Sequence, residues 1–179
     1  MLKKILIALA LLIVALVAVV AFQPAEFRIT RAARIAAAPE VVFPLFNDFR
    51  KWNDWSPWAK VDPNAKYTFE GPDAGVGAKF AWAGNNEVGE GVMTITESKP
   101  SERVAMKLEF FKPFAATSTT EFTLQPDGGG TAVTWSMSGR NNFIAKAVGM
   151  FMDCDKMVGG DFEKGLANLK AVVETPEKK

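Results

Sequence analysis

Residues 153–174 read Asp-Cys-Asp-Lys-Met-Val-Gly-Gly-Asp-Phe-Glu-Lys-Gly-Leu-Ala-Asn-Leu-Lys-Ala-Val-Val-Glu, and the fold turns on this stretch. From Phe162 the large apolar residues fall at Phe162, Leu166, Leu169 and Val173, which puts them on one side of a helix. Asp161, Glu163, Lys164 and Lys170 lie off that stripe. Gly159-Gly160 reads as a weak point ahead of the helix, since glycine costs about 1 kcal/mol against alanine in a helix interior. Asp161 and Glu163 are therefore expected in the first helical turn, where the helix dipole favours negative charge.

Upstream, strand patterns dominate from about residue 66. They are predicted over Lys66–Glu70, Gly77–Ala83, Gly89–Lys99, Arg103–Lys112, Ala115–Gln125 and Thr131–Gly139. Turn-forming residues separate them: Gly71-Pro72-Asp73, Gly84-Asn85-Asn86, Lys99-Pro100-Ser101, Lys112-Pro113 and residues 126–130. Consecutive strands joined by short turns make an antiparallel meander. Val104, Met106, Leu108 and Phe110 share one face, as do Val133, Trp135 and Met137, while Lys107, Glu109, Thr134, Ser136 and Ser138 take the other. One face of the sheet is covered and one is wet. Before the meander, Phe27 to Ile35 alternates as a further strand, and Ala38-Pro39-Glu40 opens a helix. Pro44 shortens or bends that helix, and Asn47-Asp48 caps another near Phe49–Trp52. Phe143 to Phe151 reads as a helical lead-in to the last helix, capped by Asn141-Asn142.

The amino terminus is of another kind. Lys3 and Lys4 precede an uncharged apolar run from Ile5 to Phe22. The run has no polar face, which argues against a buried core helix. A signal peptide cleaved near Val19-Val20-Ala21 and a retained anchor both fit, and the length of the run favours the anchor. Lys3 and Lys4 argue for an inside N-terminus, whereas Arg28, Arg31 and Arg34 argue the other way unless they fold into the first strand. On that reading the folded domain lies outside the cytoplasm. The expected organisation is an anchor over 1–22, a linker over 23–26, one domain over 27–174 and a charged tail over 175–179.

Composition narrows the function classes. The chain has 179 residues and a formal charge of +1, which becomes −1 without Lys3 and Lys4, so nucleic acid is not an expected partner. There is no His, which removes the commonest general base and the usual zinc ligand, and no metal-ligand spacing or cofactor motif is present. Cys154 is the only cysteine and has no second Cys or His to activate it. Gly75-Val76-Gly77 lacks the third glycine of a dinucleotide fingerprint, and Asp127-Gly128-Gly129-Gly130 reads as a hairpin turn.

The order strand, two short helices, six strands, long helix resembles the START-like helix-grip fold, an α+β class. Three stretches also resemble the polyketide-cyclase/dehydrase-like branch of the SRPBCC superfamily. They are Ile35 to Phe43, the tryptophan segment Trp52-Asn53-Asp54-Trp55-Ser56-Pro57-Trp58, and Gly160 to Lys170. The resemblance covers about residues 26 to 174. It implies a curved sheet wrapped around the last helix with an apolar cavity between them. The branch includes lipid binders, cyclases and chaperone-associated domains, so a shared fold does not carry an activity.

The cavity candidates are Trp52, Trp55, Trp58, Phe80, Trp82, Met93, Met106, Leu108, Phe110, Phe122, Trp135, Met137, Phe162 and Leu166. Aromatic and methionine side chains offer large, adaptable apolar area. The competing reading is close packing, which must claim most of them because a sheet and a helix need a core. Asp153, Asp155, Asp161, Glu163, Glu87 and Glu90 are the acids placed to move a proton if one were buried in the cavity. None is assigned catalysis. The first expectation is non-catalytic binding of a small apolar molecule or lipid beside a membrane reached through residues 5–22. A cyclase- or dehydrase-like enzyme and a protein-binding or chaperone-associated module are the alternatives.

Overall fold

The computed structural model describes residues 1–175. The predicted tail beyond Thr175 lies outside the described residues. Helix α1, Leu2–Phe22, is followed after three residues by β1, Glu26–Ile35. Two one-turn helices come next, α2 at Pro39–Val42 and α3 at Pro44–Asn47, with a 3-10 turn at Phe49–Asp54. Pro44 divides α2 from α3, because its ring cannot continue a helix interior and is tolerated in a first turn. Asp48 caps the 3-10 turn by accepting from the Arg50 amide at 2.9 Å.

Six strands follow: β2 Lys66–Glu70, β3 Lys79–Ala83, β4 Glu90–Lys99, β5 Arg103–Lys112, β6 Ala116–Asp127 and β7 Gly130–Arg140. With β1 they make one antiparallel sheet in the order β1-β7-β6-β5-β4-β3-β2, so the first strand pairs with the last. Helix α4, Phe143–Gly149, and helix α5, Cys154–Glu174, complete the chain. Register shifts between β4 and β5 at Glu90/Gly91 and Ile95/Glu97 bend the sheet around α5. This is the helix-grip architecture that the sequence resembles.

Three expectations are corrected. Strands β3 and β4 start later than their alternation suggests, because Gly77 and Gly89 sit at φ +90 and +69, outside strand geometry. The β6–β7 turn is tighter than five residues: Asp127 pairs with Gly130, and Gly128 and Gly129 both take positive φ, as a two-residue hairpin requires.

The largest correction concerns α5. It begins at Cys154, with Asp153 as N-cap accepting from the Lys156 amide at 2.9 Å, and runs unbroken through Gly159-Gly160. Asp161 and Glu163 are therefore mid-helix, and Asp155 holds the first-turn position. The glycines are places of close approach. A Cβ on Gly159 would collide with the Arg31 guanidinium, and one on Gly165 would sit 2.7 Å from the Trp135 ring and 3.1 Å from Pro57. Packing of α5 onto β1 and β7 overrides the unfavourable propensity.

Candidate functional site: a cavity at one end of the grip

Alternation on β2 to β7 points Tyr67, Phe80, Trp82, Met93, Leu108, Phe110, Thr120, Trp135 and Met137 toward α5. From α5 come Met157, Val158, Asp161 and Phe162, one helical face. The 3-10 turn and the loop after it supply Trp52, Asn53, Ser56, Trp58 and Ala59, and the β3–β4 hairpin supplies Glu87 and Val88. Between them lies a cavity of about 430 Å³, within the range that holds small organic molecules.

Ten of the fourteen cavity candidates thus line one space: Trp52, Trp58, Phe80, Trp82, Met93, Leu108, Phe110, Trp135, Met137 and Phe162. Trp55, Met106, Phe122 and Leu166 do not. They belong to the packed core and are all but fully buried. Their place is set by the short helices. Phe46 of α3 stacks on Phe122 at 4.1 Å, and Trp55 meets Phe46 edge-on at 5.4 Å. The Trp55 indole donates to the Leu45 carbonyl at 3.1 Å, which fixes the ring.

Strand register shows which end of the grip is hollow. Glu26 pairs with Arg140, Phe110 with Ala116, and Glu90 with Lys112, so these residues mark one end of the sheet. Ile35, Thr131, Arg103 and Lys99 mark the other. Trp82, Phe110, Glu87 and Val88 lie toward the first end, together with the N-terminal part of α5. The short helices fill the space toward the second.

The carboxylates lining the cavity are Glu87, which is exposed, and Asp161, which pairs with Lys164 at 3.1 Å. The buried carboxylate Asp62 accepts from the Asn64 and Asn85 amides at 2.9 and 2.7 Å and holds the loop against the β3–β4 hairpin. Asp155 and Glu163 face Arg31: its guanidinium donates to Asp155 at 2.9 Å and to Glu163 at 2.8 Å. The hydrogen bond from Arg31 holds the Asp155 carboxyl below the usual range, and Asp155 and then Glu163 raise the guanidinium. Glu90 pairs with Lys112 away from the cavity, and Asp153 is the cap already described.

In the sequence Arg31 stands out only by its charge. It follows Phe27 and Ile29 on the inward face of β1, and its partner across the ladder is Trp135. An arginine at an inward position of an otherwise apolar face is the signal that something charged on α5 meets it. Thr120 is a second omission. Counting back by two from Phe122 places it inward, but its setting in Thr117-Ser118-Thr119-Thr120 reads as polar surface. Met157 and Val158 join the lining because α5 starts at Cys154, ahead of the Gly159-Gly160 pair that the sequence reads as its weak point.

Trp135 is central to the lining. Its ring stacks on Phe162 at 4.0 Å and 8°, and Trp52, Trp55 and Trp58 meet it edge-on. Its indole N–H is buried and has no acceptor among the described residues.

A Chromobacterium violaceum protein has a crystal structure similar to this chain at TM-score 0.59 and 20% identity, covering 84% of this chain and 98% of the other. The Aha1 dimer from Colwellia psychrerythraea, solved in solution, is similar at TM-score 0.61 and 17% identity, covering 84% and 98%. The major latex-like protein 151 of Panax ginseng is similar at TM-score 0.59 and 12% identity, covering 84% and 99%. At such identities the likeness is one of fold. No curated protein sequence matches the chain. Residues 26–174 match the family described as polyketide cyclase / dehydrase and lipid transport, and the chain belongs to that family, as a polyketide cyclase-like SRPBCC domain carrying an N-terminal apolar helix.

Proposed function

We propose that this protein binds one small apolar molecule, a lipid or a molecule of similar polarity, in the cavity between sheet and α5, without transforming it. The observation that supports this is the character of the lining. Its walls are tryptophan, phenylalanine, methionine and leucine, and of its two carboxylates Glu87 is exposed while Asp161 is half-buried and paired with Lys164. A general base held in an apolar site needs burial to raise its pKa, and the buried carboxylate Asp62 is committed to backbone amides. Residues 1–22 act as a retained anchor that keeps residues 26–174 beside the membrane, outside the cytoplasm; the linker is 23–25, one residue shorter than expected, because Glu26 already pairs with Arg140 in β1. Helix α1 is 21 residues long, about 31 Å at the rise of an α-helix, which matches a hydrocarbon core of about 30 Å.

Native mass spectrometry of the full chain released from detergent micelles tests the reading. An apolar adduct is expected, and Met137→Trp, which fills the cavity from its wall, should reduce its occupancy at least tenfold. An adduct retained in full by that variant would place binding elsewhere. Asp161 supports a second reading, since it lines the same cavity and could move a proton in a cyclase- or dehydrase-like reaction. Asp161→Asn separates the two. A binder keeps the same adduct, whereas an enzyme accumulates unreacted substrate, heavier by one water where the reaction is a dehydration and distinguished by its fragmentation where only a ring is closed.

A further inference from the structure

We propose that the hollow end of the grip is a bilayer-docking surface, in which Phe111, Phe114, Phe143, Ile144, Phe151 and Met152 enter the lipid interface and set the cavity mouth against it. The proposal rests on the anchor reading of α1. Gln23-Pro24-Ala25 is all that separates α1 from β1, and three residues span at most about 10 Å. The surface that receives α1 therefore lies within that distance of Glu26, at the hollow end of the sheet. The α1 helix is also fixed there. Lys146 of α4 donates to the Ala21 carbonyl at 3.2 Å, in the last turn of α1, and the Asn141 amide donates to the Ala25 carbonyl at 2.7 Å.

The side chains at this end suit a lipid interface. Phe151 is 83% exposed and Phe114 is 76% exposed, with Phe111, Phe143, Ile144 and Met152 also open. Exposed phenylalanines so grouped are costly in water. They come from two elements far apart in sequence, the β5–β6 hairpin and the α4 segment. Arg140 joins the two, lining one groove with Phe111 and another with Phe143 and Ala21. Arg140 and Lys146 stand among them, where cations face lipid headgroups. Because α1 already enters the bilayer, the covering of this patch is lipid. Val88, Phe110 and Met157, at the same end, belong to the cavity wall, so the mouth opens toward the interface.

The test uses the full chain in phosphatidylcholine vesicles whose acyl chains carry bromine. A polarity-sensitive fluorophore is placed in a Cys154→Ser background through Phe151→Cys, Leu11→Cys or Glu102→Cys. Labels at 151 and 11 should be quenched several-fold more than the label at 102, on the closed end. Quenching at 11 without quenching at 151 overturns the docking surface and leaves the anchor intact. Quenching at neither position overturns both. Quenching at 151 alone sustains the surface and overturns the anchor.

Discussion

The two ends of the grip are built from the same sheet and the same helix, yet one is packed and the other is hollow. At the closed end α5 presents Leu166 and Leu169, and the short helices drive Phe46 and Trp55 onto Phe122, Val104 and Leu124. At the hollow end α5 presents Val158, Gly159 and Phe162, and the end of the 3-10 turn with the loop after it borders the space through Trp52, Asn53 and Trp58 without filling it. Strand composition does not separate the two. Phe80, Trp82 and Phe110 are as bulky as Phe122, but a curved sheet and one helix diverge at an open end, and side chains on the walls alone do not fill the gap. What distinguishes core from cavity is the third layer supplied by α2, α3 and Trp55.

The sharpest way to break this comparison is to truncate one side chain at each end. Phe122→Ala should cost about 3–5 kcal/mol, as deletion of a packed aromatic does, whereas Met137→Ala should cost about 1 kcal/mol because its side chain already borders empty space. Urea unfolding of the full chain in micelles reads both. Equal losses would mean that the hollow end is packed as tightly as the closed one.

A second comparison lies within α5. Gly165→Ala pushes a methyl into the Trp135 ring and Pro57 and should cost about 1–3 kcal/mol. Gly160→Ala meets nothing within 4 Å and should stabilise the helix by up to about 1 kcal/mol. Thermal unfolding of the two variants should move in opposite directions. A loss at Gly160 would show that the α5 glycines are needed for flexibility instead of close approach.

The smallest effect is that of pH. Asp155 is held below the usual carboxylate range by Arg31, and Glu174 by the Ala36 amide, which donates to it at 2.6 Å, with Lys170 second. Carboxyls with lowered folded-state pKa contribute stability in full above the unfolded value, near 4, and lose it as pH falls through the folded value. Stability should therefore drop below about pH 4. Asp155→Asn should flatten that drop, and it leaves the lining of the cavity untouched. Both groups face water, so the change is modest. An identical acid slope in the variant would remove Arg31 as a clamp on α5.

Most of the fold was legible because it rests on period and punctuation. Six strands and their turns follow from alternation between Gly, Pro and Asn, and the last helix from the spacing of Phe162, Leu166, Leu169 and Val173. The start of α5 was not legible. Local propensity at Gly159-Gly160 points to a break, and only the nearness of Arg31, over a hundred residues away in sequence, makes glycine the residue that fits. The cavity was half legible. Alternation names inward residues, but inward includes both core and wall, and Trp55 and Trp58, three residues apart, fall on different sides of that line.

The amino-acid sequence by itself determined the elements, their order, the covered face of the sheet and an N-terminal segment apolar enough for a bilayer. These depend on properties each residue carries to its neighbours: backbone preference, side-chain period and local hydropathy. Only the tertiary structure decided which inward aromatics touch one another and which border a cavity, and which acids Arg31 binds. It also decided that the hollow end is the one where α1 attaches. Those outcomes depend on distances between residues remote in the chain, set by strand register and by the layer of short helices that enters one end alone.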